Sequence, residues 1–311
     1  MSLPERRARW LLAILVLIWG ASWPAIKIGV TAVPPIWFAC LRYVVGTACL
    51  VVIVALRREL TLPSSSEWKL IAVSGVLQMA MYSALTALAL TRLPPGRSSV
   101  LAFSTPLWVV PLSVWWLREP VQWQGRIGVG TGLMGVLLIA SPGLQPTAHG
   151  QLAPYVFLIC AAAGWAVSIV YVRSHRFQAS PLALAPWQML VATLLLLPCA
   201  IATDGVLPLP NLRGVASLAY VGPIATAFAY WAVVEVGRHI RATTLSMTLL
   251  AVPCVGLLIS ALTFHETVNA AFGLGVALVG AGVALTNVEL SKWTVSAARR
   301  ASSTAASAAS R

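Results

Sequence analysis

The sequence contains one long pattern twice, and this duplication restricts the chain to folds built from two similar halves. At an offset of 147 positions the matching pairs are Ser99 and Ser246, Pro106 and Pro253, Ser113 and Ser260, Glu119 and Glu266, Gly128 and Gly275, and Gly135 and Gly282. Further upstream an offset of 146 aligns Trp19 with Trp165, Ser22 with Ser168 and Pro35 with Pro181. The repeated unit is therefore about half the protein, far longer than the roughly 20 to 50 residues of a soluble solenoid repeat.

The composition indicates a multispanning membrane protein. Hydrophobic residues make up 59% of the 311 positions and charged residues 9%, whereas a soluble domain carries roughly 25% charged residues. A net charge of +13 raises the question of nucleic acid. However, the Lys and Arg residues lie in short connections between apolar stretches, which favours a membrane surface. The five cysteines lie inside apolar runs without CxxC spacing, so we interpret them as buried apolar residues rather than metal ligands or disulfides.

Ten apolar runs are predicted to cross the membrane when about 20 residues are taken as one crossing. They are 10–30, 35–56, 68–90, 98–116, 121–140, 152–172, 181–202, 214–236, 243–264 and 268–288. The runs divide into a first five-helix repeat at 1–147 and a second at 148–290. The remaining segment, 291–311, is rich in Ser and Ala and is predicted to be a disordered cytoplasmic tail.

The basic residues predict the orientation of these helices. Most Lys and Arg residues fall at both ends of the chain and in the connections on the same side, whereas the other side has Arg92, Arg97 and Arg213. The positive-inside rule therefore places both termini in the cytoplasm. Because each repeat has an odd number of crossings, the second repeat is inverted relative to the first. Inverted repeats are typical of alternating-access transporters, whose substrate site lies near the midplane between the halves.

Two prolines occupy equivalent places near the middle of their spans. Pro106 and Pro253 cannot donate a hydrogen bond to the carbonyls of Ala102 and Leu249, so each is expected to bend its helix. We interpret them as a pair of hinges, one in each repeat; the alternative is a static kink that only shapes packing.

Other duplicated residues are predicted to have structural roles. Glu119 and Glu266 each stand at the start of a helix, where a carboxylate accepts hydrogen bonds from free N–H groups, so we interpret them as helix caps. The glycines of the fifth and tenth spans, including the GxxxG pair Gly128 and Gly132, are predicted to let helices pack closely. A homodimer contact through these glycines is the alternative.

Lys27 and Arg42 are the charges that packing explains least well. Lys27 lies about 5 Å from the outer end of the first span and Arg42 about 10 Å inside the second, at 1.5 Å per residue. Residues of this kind usually face a polar cavity or a partner, because a central Arg or Lys costs roughly 2.5 to 3.5 kcal/mol. Both are candidates for binding a substrate carboxylate. Snorkelling to the interface or capping helix carbonyls is the alternative.

A set of aromatic and polar residues in the middle of the spans is typical of a ligand cavity with apolar walls. The further candidates for substrate binding are Trp19, Ser22, Gln78, Tyr82, Trp108, Trp165, Ser168, Gln188 and Tyr230. Each residue alone fits packing as well as ligand contact. The equivalent pairs, Trp19 with Trp165 and Ser22 with Ser168, are the stronger candidates.

The absence of several motifs narrows the function further. No Asp, Glu or His lies near the centre of a span, and no GxxxxGK[ST] loop or HExxH constellation occurs. The sequence therefore favours a facilitated carrier, or a carrier whose coupling site has no sequence signal, over an ATP-driven pump or an intramembrane enzyme, with no cofactor and no metal.

The segments LIWGASWPAIKIG, FACLRYVVG and the duplicated Pro–Glu–Gly block resemble the EamA-type drug/metabolite transporter superfamily over nearly the whole chain. Within that superfamily the chain is most similar to bacterial aromatic amino acid exporters of the YddG type. The resemblance implies a basket of ten helices, a central cavity open to one side at a time, and efflux of amino acids across the bacterial inner membrane. It places the Lys of the first motif at Lys27 and the Arg of the second at Arg42, whose counterpart in the second repeat is Gln188.

The leading hypothesis is an exporter of amino acids and related small metabolites that acts as a monomer or weak homodimer and binds no nucleic acid. A carrier of the same fold with another cargo, such as a cationic drug, is the second hypothesis. A membrane scaffold or intramembrane enzyme is the third.

Overall fold

A computed structural model of the protein describes residues 5–118, 120–144, 152–175, 179–207, 209–240, 245 and 248–286. Glu119 and the predicted tail at 291–311 lie outside these ranges. Within them the structure contains ten apolar helices of at least 14 residues, a short 3-10 helix at Ser141–Leu144 and no β-strand. The helices are α1 Glu5–Ala32, α2 Pro35–Leu56, α3 Glu67–Arg92, α4 Pro95–Leu117, α5 Trp123–Ala140, α6 Leu152–Ser174, α7 Pro181–Asp204, α8 Leu212–Gly237, α9 Ala251–Phe264 and α10 Ala270–Thr286.

Seven of the described helices, α1 to α4 and α6 to α8, are long and apolar enough to cross a membrane. The helix α5 has 18 residues, and α9 and α10 are shorter apolar helices. This architecture confirms the prediction of an all-α membrane protein with ten helices.

The two repeats begin and end their helices in the same way. Pro35 and Pro181 occupy the first position of α2 and α7, where the missing N–H of proline costs no hydrogen bond. Arg118 and His265, which follow α4 and α9, both have left-handed backbones with φ of 54° and 51°. These two residues are 147 positions apart. The duplication in sequence is therefore also a duplication of local backbone conformation.

The contact between α5 and α10 shows that the repeats are inverted. A Cβ added to Gly128 would lie 2.9 Å from the carbonyl oxygen of Gly282, and one added to Gly135 would lie 2.7 Å from that of Gly275. The start of α5 thus touches the end of α10, so these equivalent helices run antiparallel. Close approach of their backbones requires glycine. The predicted packing role of these glycines lies within one chain, where α10 covers the face that a homodimer would use.

The contacts between the repeats come in symmetrical pairs. The first helix of each repeat packs on the third of the other, as α1 does on α8 and α6 on α3. It also packs on the fourth helix of the other repeat, as α1 does on α9 and α6 on α4. The second helices, α2 and α7, pack on each other. A two-fold axis in the membrane plane relates such contacts, and it places the central space of the bundle between the two halves.

Apolar side chains cover much of the outside of the bundle. Trp10, Leu17, Val52, Trp115 and Leu194 are exposed by more than half of their area, as lipid-facing residues are expected to be. The prediction that the cysteines are buried is wrong for three of them, because Cys160, Cys199 and Cys254 are also exposed. An apolar run in a membrane helix contains both core-facing and lipid-facing positions, which composition alone does not separate.

Candidate functional site

A cavity of about 360 Å³ lies between the two repeats. Residues from α1, α2, α3, α6, α7 and α8 line it, together with Phe103 from the interruption of α4 and Leu249 from just before α9. The lining residues are Trp19, Ser22, Trp23, Ile26, Arg42, Tyr43, Gln78, Met79, Tyr82, Thr86, Phe103, Trp165, Met189, Ala225, Thr226, Tyr230, Val233, Val234 and Leu249. Of the eleven predicted substrate contacts, seven line the cavity: Trp19, Ser22, Arg42, Gln78, Tyr82, Trp165 and Tyr230.

Two π-helical turns shape the cavity wall. Ser74–Met81 in α3 and Pro223–Phe228 in α8 are π-helical and occupy equivalent places in the two repeats. The wider π turn shifts backbone hydrogen bonds and is frequent at functional sites. The Nε1 of Trp19 donates to the carbonyl oxygen of Ala225 at 3.1 Å, and the hydroxyl of Thr226 donates to that of Val221 at 2.8 Å. Polar groups at mid-depth thus satisfy the carbonyls that the π turn displaces.

Arg42 is the one charged residue among the described lining residues. Its Nε donates to Oγ1 of Thr226 at 2.7 Å and its Nη1 to Oγ of Ser83 at 3.5 Å. Ser83 in turn donates to the hydroxyl of Tyr43 at 3.1 Å. Two neutral hydroxyls therefore hold the guanidinium in place, and the described lining gives it no carboxylate partner. The cavity keeps a positive charge available to a ligand.

Aromatic rings form much of the remaining wall. Tyr82 and Trp165 meet edge to face with ring centroids 5.1 Å apart, and Trp23 meets Phe103 at 6.4 Å. Contacts of this geometry fix ring orientation. With Trp19, these rings give the cavity apolar faces around a single cationic group, a combination suited to a small amphipathic anion or zwitterion.

Lys27 lies outside the cavity lining and caps a helix. Its Nζ donates to the carbonyl oxygens of Leu90, Thr91 and Leu93 at 2.6, 3.4 and 3.3 Å, respectively. The last carbonyls of α3 have no partner within the helix, so a cation at this end is stabilising. The geometry fits the capping alternative for Lys27 rather than substrate contact.

Three further predicted contacts also lie outside the lining. Ser168 lies behind Gln78, to whose Oε1 it donates at 3.4 Å. Gln188 accepts a hydrogen bond from the hydroxyl of Tyr230 at 3.5 Å. Trp108 packs on α6 and donates to Ser104 at 3.3 Å. Ser168 and Gln188 therefore support lining residues, and none of the three reaches the cavity itself.

Several lining residues were not among the predicted contacts, and Thr226 is the clearest of them. A threonine in an apolar helix gives no sequence signal, because its hydroxyl usually bonds its own backbone. Pro223, three positions earlier, marks the break in regular α-helix that brings Thr226 to Arg42. Trp23, Tyr43 and Phe103 were likewise indistinguishable in sequence from packed aromatic residues.

The two prolines lie at interruptions of their helices. The helix α4 breaks into Pro95–Ala102 and Thr105–Leu117, and Pro106 lies in the first turn of the second part. The hydroxyl of Thr105 donates to the carbonyl of Ala102 at 3.0 Å, replacing the bond that Pro106 cannot make. Pro253 lies in the first turn of α9, next to a turn at Leu250. Both interruptions support bending at these positions, and at Pro106 a side chain satisfies the carbonyl that the break leaves free.

The first part of α4 and the helix α9 pack tightly together, and this contact is called the α4–α9 seal below. A Cβ added to Gly256 would lie 3.2 Å from Oγ of Ser99, and Ser99 lies 3.5 Å from the carbonyl of Pro253. The seal lies on the side of the bundle opposite to the start of α1.

Glu266 strengthens the α4–α9 seal and does not cap α10 as predicted. Its carboxylate accepts hydrogen bonds from the backbone N–H groups of Gly96 and Arg97, both at 2.9 Å, so it caps α4. The hydroxyl of Ser260 also donates to Glu266. Asn269 caps α10 by accepting a backbone hydrogen bond at 2.8 Å. The prediction failed because the free N–H groups of α4 lie across the repeat boundary, which sequence order does not show.

Comparisons with known proteins agree with this architecture. The model of the EamA-like transporter family matches the chain twice, at residues 7–141 and 152–288. An "Uncharacterized transporter YvbV" of Bacillus subtilis is 26% identical over 93% of this chain and 94% of its own. A "Probable terminal-alkyne amino-acid exporter" of Streptantibioticus cattleyicolor is 26% identical over 90% of this chain and 93% of its own.

A "Probable amino-acid metabolite efflux pump" of Escherichia coli is 23% identical over 90% of this chain and 94% of its own. A solved crystal structure superposes with a TM-score of 0.61 at 21% identity, covering 91% of this chain and 96% of that one, which shows a common fold. Since both halves of the chain match one family model, this protein belongs to the EamA-like transporter family.

Proposed function

We propose that the protein exports amino acids, aromatic ones among them, and related small metabolites. The observation that carries this proposal is the position of Arg42, a cation held by Thr226 and Ser83 in a cavity with aromatic walls. Arg42 binds the carboxylate, while Trp19, Tyr82 and Trp165 contact the side chain. Relatives named as amino-acid exporters and efflux pumps support the same cargo.

Transport proceeds by alternating access of this cavity to the two sides of the membrane. The α4–α9 seal blocks one side, and Val233, Val234 and Leu249 extend the lining towards the other. Movement of the broken helices at Pro106 and Pro253 opens the seal and closes the opposite end. The described lining contains no Asp, Glu or His, which supports facilitated rather than proton-driven transport.

The basic connections support a cytoplasmic position for the start of α1, and the α4–α9 seal then faces outside. On the cytoplasmic side Arg57 and Arg238 form ion pairs with Glu235 at 3.5 and 3.3 Å, and both also pair with Glu59. An excess of cations on the cytoplasmic face is the usual pattern of membrane proteins. We assign the protein to the bacterial inner membrane, with both termini inside.

A cationic drug is the less favourable cargo. Arg42 repels a positive ligand, and no acidic residue among the described lining residues offsets that repulsion. The alternative cargo would therefore have to enter a cavity of unfavourable charge.

The test is transport of labelled phenylalanine and threonine in proteoliposomes, with and without a proton gradient. We expect flux that needs the protein and does not depend on the gradient, and a preference for phenylalanine. Absence of flux for every amino acid in a panel, with the protein shown to be folded, would reject the proposal. A cationic dye serves as the comparison cargo, and its preferential transport would support the alternative.

A further inference from the structure

The charges that line the cavity do not match those of an amino acid. A zwitterion carries a carboxylate and an ammonium, whereas the described lining offers one cation, Arg42, and no Asp or Glu. Arg42 donates through Nε and Nη1 to Thr226 and Ser83, and Nη2 has no hydrogen-bond partner among the described residues. A guanidinium has five donors in a planar fork, and those left unused suit a carboxylate.

Among the described lining residues, the ammonium of a bound amino acid finds neutral acceptors and no anionic partner. Oε1 of Gln78 accepts from Ser168, and the carbonyl of Trp19 accepts from Ser22 at 2.7 Å. The hydroxyl of Tyr230 donates to Gln188, which leaves only a neutral oxygen to accept from an ammonium. Moving a charged group out of water is unfavourable unless an opposite charge or strong hydrogen bonds replace its hydration. The ammonium is therefore the part of the substrate that this cavity binds least well.

The size and walls of the cavity favour a molecule with a single ring. Its volume of about 360 Å³ lies near the lower end of the roughly 300 to 1,000 Å³ of small-molecule sites. The rings of Trp19, Tyr82 and Trp165 offer apolar faces to one aromatic group. A compact aromatic acid fulfils both requirements and leaves no charge unpaired.

We propose that the protein also exports aromatic monocarboxylates without an α-ammonium group, and that it binds them more tightly than the corresponding amino acids. This inference rests on the proposed function, because it takes the cavity to be the transport site. The substrate class is an aryl ring joined to a carboxylate by a short chain. Arg42 binds the carboxylate, and the aromatic walls hold the ring.

Three compounds with the same ring and similar chain length test the proposal: 3-phenylpropionate, phenylalanine and phenethylamine. In proteoliposomes at mildly alkaline pH, phenylpropionate should be transported. It should also inhibit phenylalanine flux at concentrations about tenfold lower than unlabelled phenylalanine does. The reason is that an unpaired buried polar or charged group costs at least about a factor of ten in affinity. Phenethylamine should neither move nor compete. Protein-free liposomes measure leakage of the neutral acid, which is subtracted.

Variants of Arg42 connect the preference to the cavity. Arg42→Gln should abolish phenylpropionate transport, and Arg42→Lys should retain part of it. Lys69→Gln, which removes an exposed cation from α3 outside the cavity, is the matched control and should transport phenylpropionate normally. Gel filtration and thermal unfolding verify that each variant is folded.

The possible outcomes separate this inference from the proposed function. If phenylalanine is transported but phenylpropionate neither moves nor competes, the inference is wrong and the amino acid exporter remains. If a folded Arg42→Gln variant still transports phenylpropionate at the native rate, the inference is also wrong. If neither compound is transported by active protein that moves another cargo, the proposed function fails as well.

Discussion

A disulfide across the α4–α9 seal should stop transport without unfolding the protein. The variant is Ser99→Cys with Gly256→Cys, made after the five native cysteines have been replaced. A Cβ built on Gly256 lies 3.4 Å from the Cβ of Ser99, close to the roughly 3.5 to 4.5 Å of natural disulfides. The bond should therefore form after a shift of a few tenths of an ångström.

The bond holds the two Cα atoms within about 6.8 Å of each other, so α4 and α9 cannot separate at this point. If substrate leaves by this route, flux should fall in proportion to the cross-linked fraction and should return when a reductant is added. The chain-entropy estimate for a loop of this length is a stabilisation of up to about 5 kcal/mol. An unchanged or higher unfolding temperature would thus show that the lost flux is not lost folding.

Proteoliposome flux is measured in parallel with a maleimide gel-shift assay that counts free thiols. Ser99→Cys alone and Gly256→Cys alone are the controls, and oxidant should leave their flux unchanged. Full flux in a sample whose thiols are almost completely cross-linked would refute the role of the seal in alternating access. Failure of the bond to form under strong oxidant would refute the close packing itself.

Three further predictions concern helix packing, bending and capping. Gly282→Ala places a Cβ 2.5 Å from backbone atoms of α5, whereas an added Cβ at Gly280 has nothing within 4 Å. Thermal unfolding in detergent should show that Gly282→Ala lowers the unfolding free energy by about 1 to 3 kcal/mol, and that Gly280→Ala leaves it unchanged. Pro106→Ala and Pro253→Ala should slow flux more than they lower the unfolding temperature, and equal losses in both measurements would leave only a static kink. Lys27→Met removes the cation at the end of α3 and should cost about 1 to 3 kcal/mol of stability, while the order of substrate preference in competition assays stays the same.

The helix count and the inversion could be predicted from the sequence because the lipid environment restricts the chain so strongly. Backbone polar groups in a bilayer must bond within the structure, so each apolar run of sufficient length has to form a helix. An odd number of helices in each repeat then requires inversion. The contact of Gly128 with Gly282, and of Gly135 with Gly275, is a direct consequence of that arrangement.

The site could be predicted only in part, because its details depend on contacts between distant segments. Arg42 and the aromatic residues could be predicted as candidates from their residue types and from their positions near the middle of apolar spans. The role of Thr226 depends on a π turn in α8 that brings its hydroxyl to a residue 184 positions away. The hydrogen bond that Glu266 accepts from the backbone N–H of Gly96 likewise joins residues 170 positions apart. Neither has a local sequence signal, since the partner of a polar group is set by packing.

The two repeats differ in sequence at the α4–α9 seal and at the equivalent position of the other repeat, so the two ends of the cavity are packed differently. Gly256 lets the first part of α4 approach α9 closely, whereas the equivalent position in the first repeat is Val109, which is buried against α6. Two identical inverted halves would give two states of equal energy. Gly256 allows closer helix contact at the α4–α9 seal than Val109 allows at the equivalent contact of the other repeat. A difference of this kind shifts the population between two conformational states. If the protein works by alternating access, we therefore predict that the state closed at the α4–α9 seal is the more populated one in the absence of substrate.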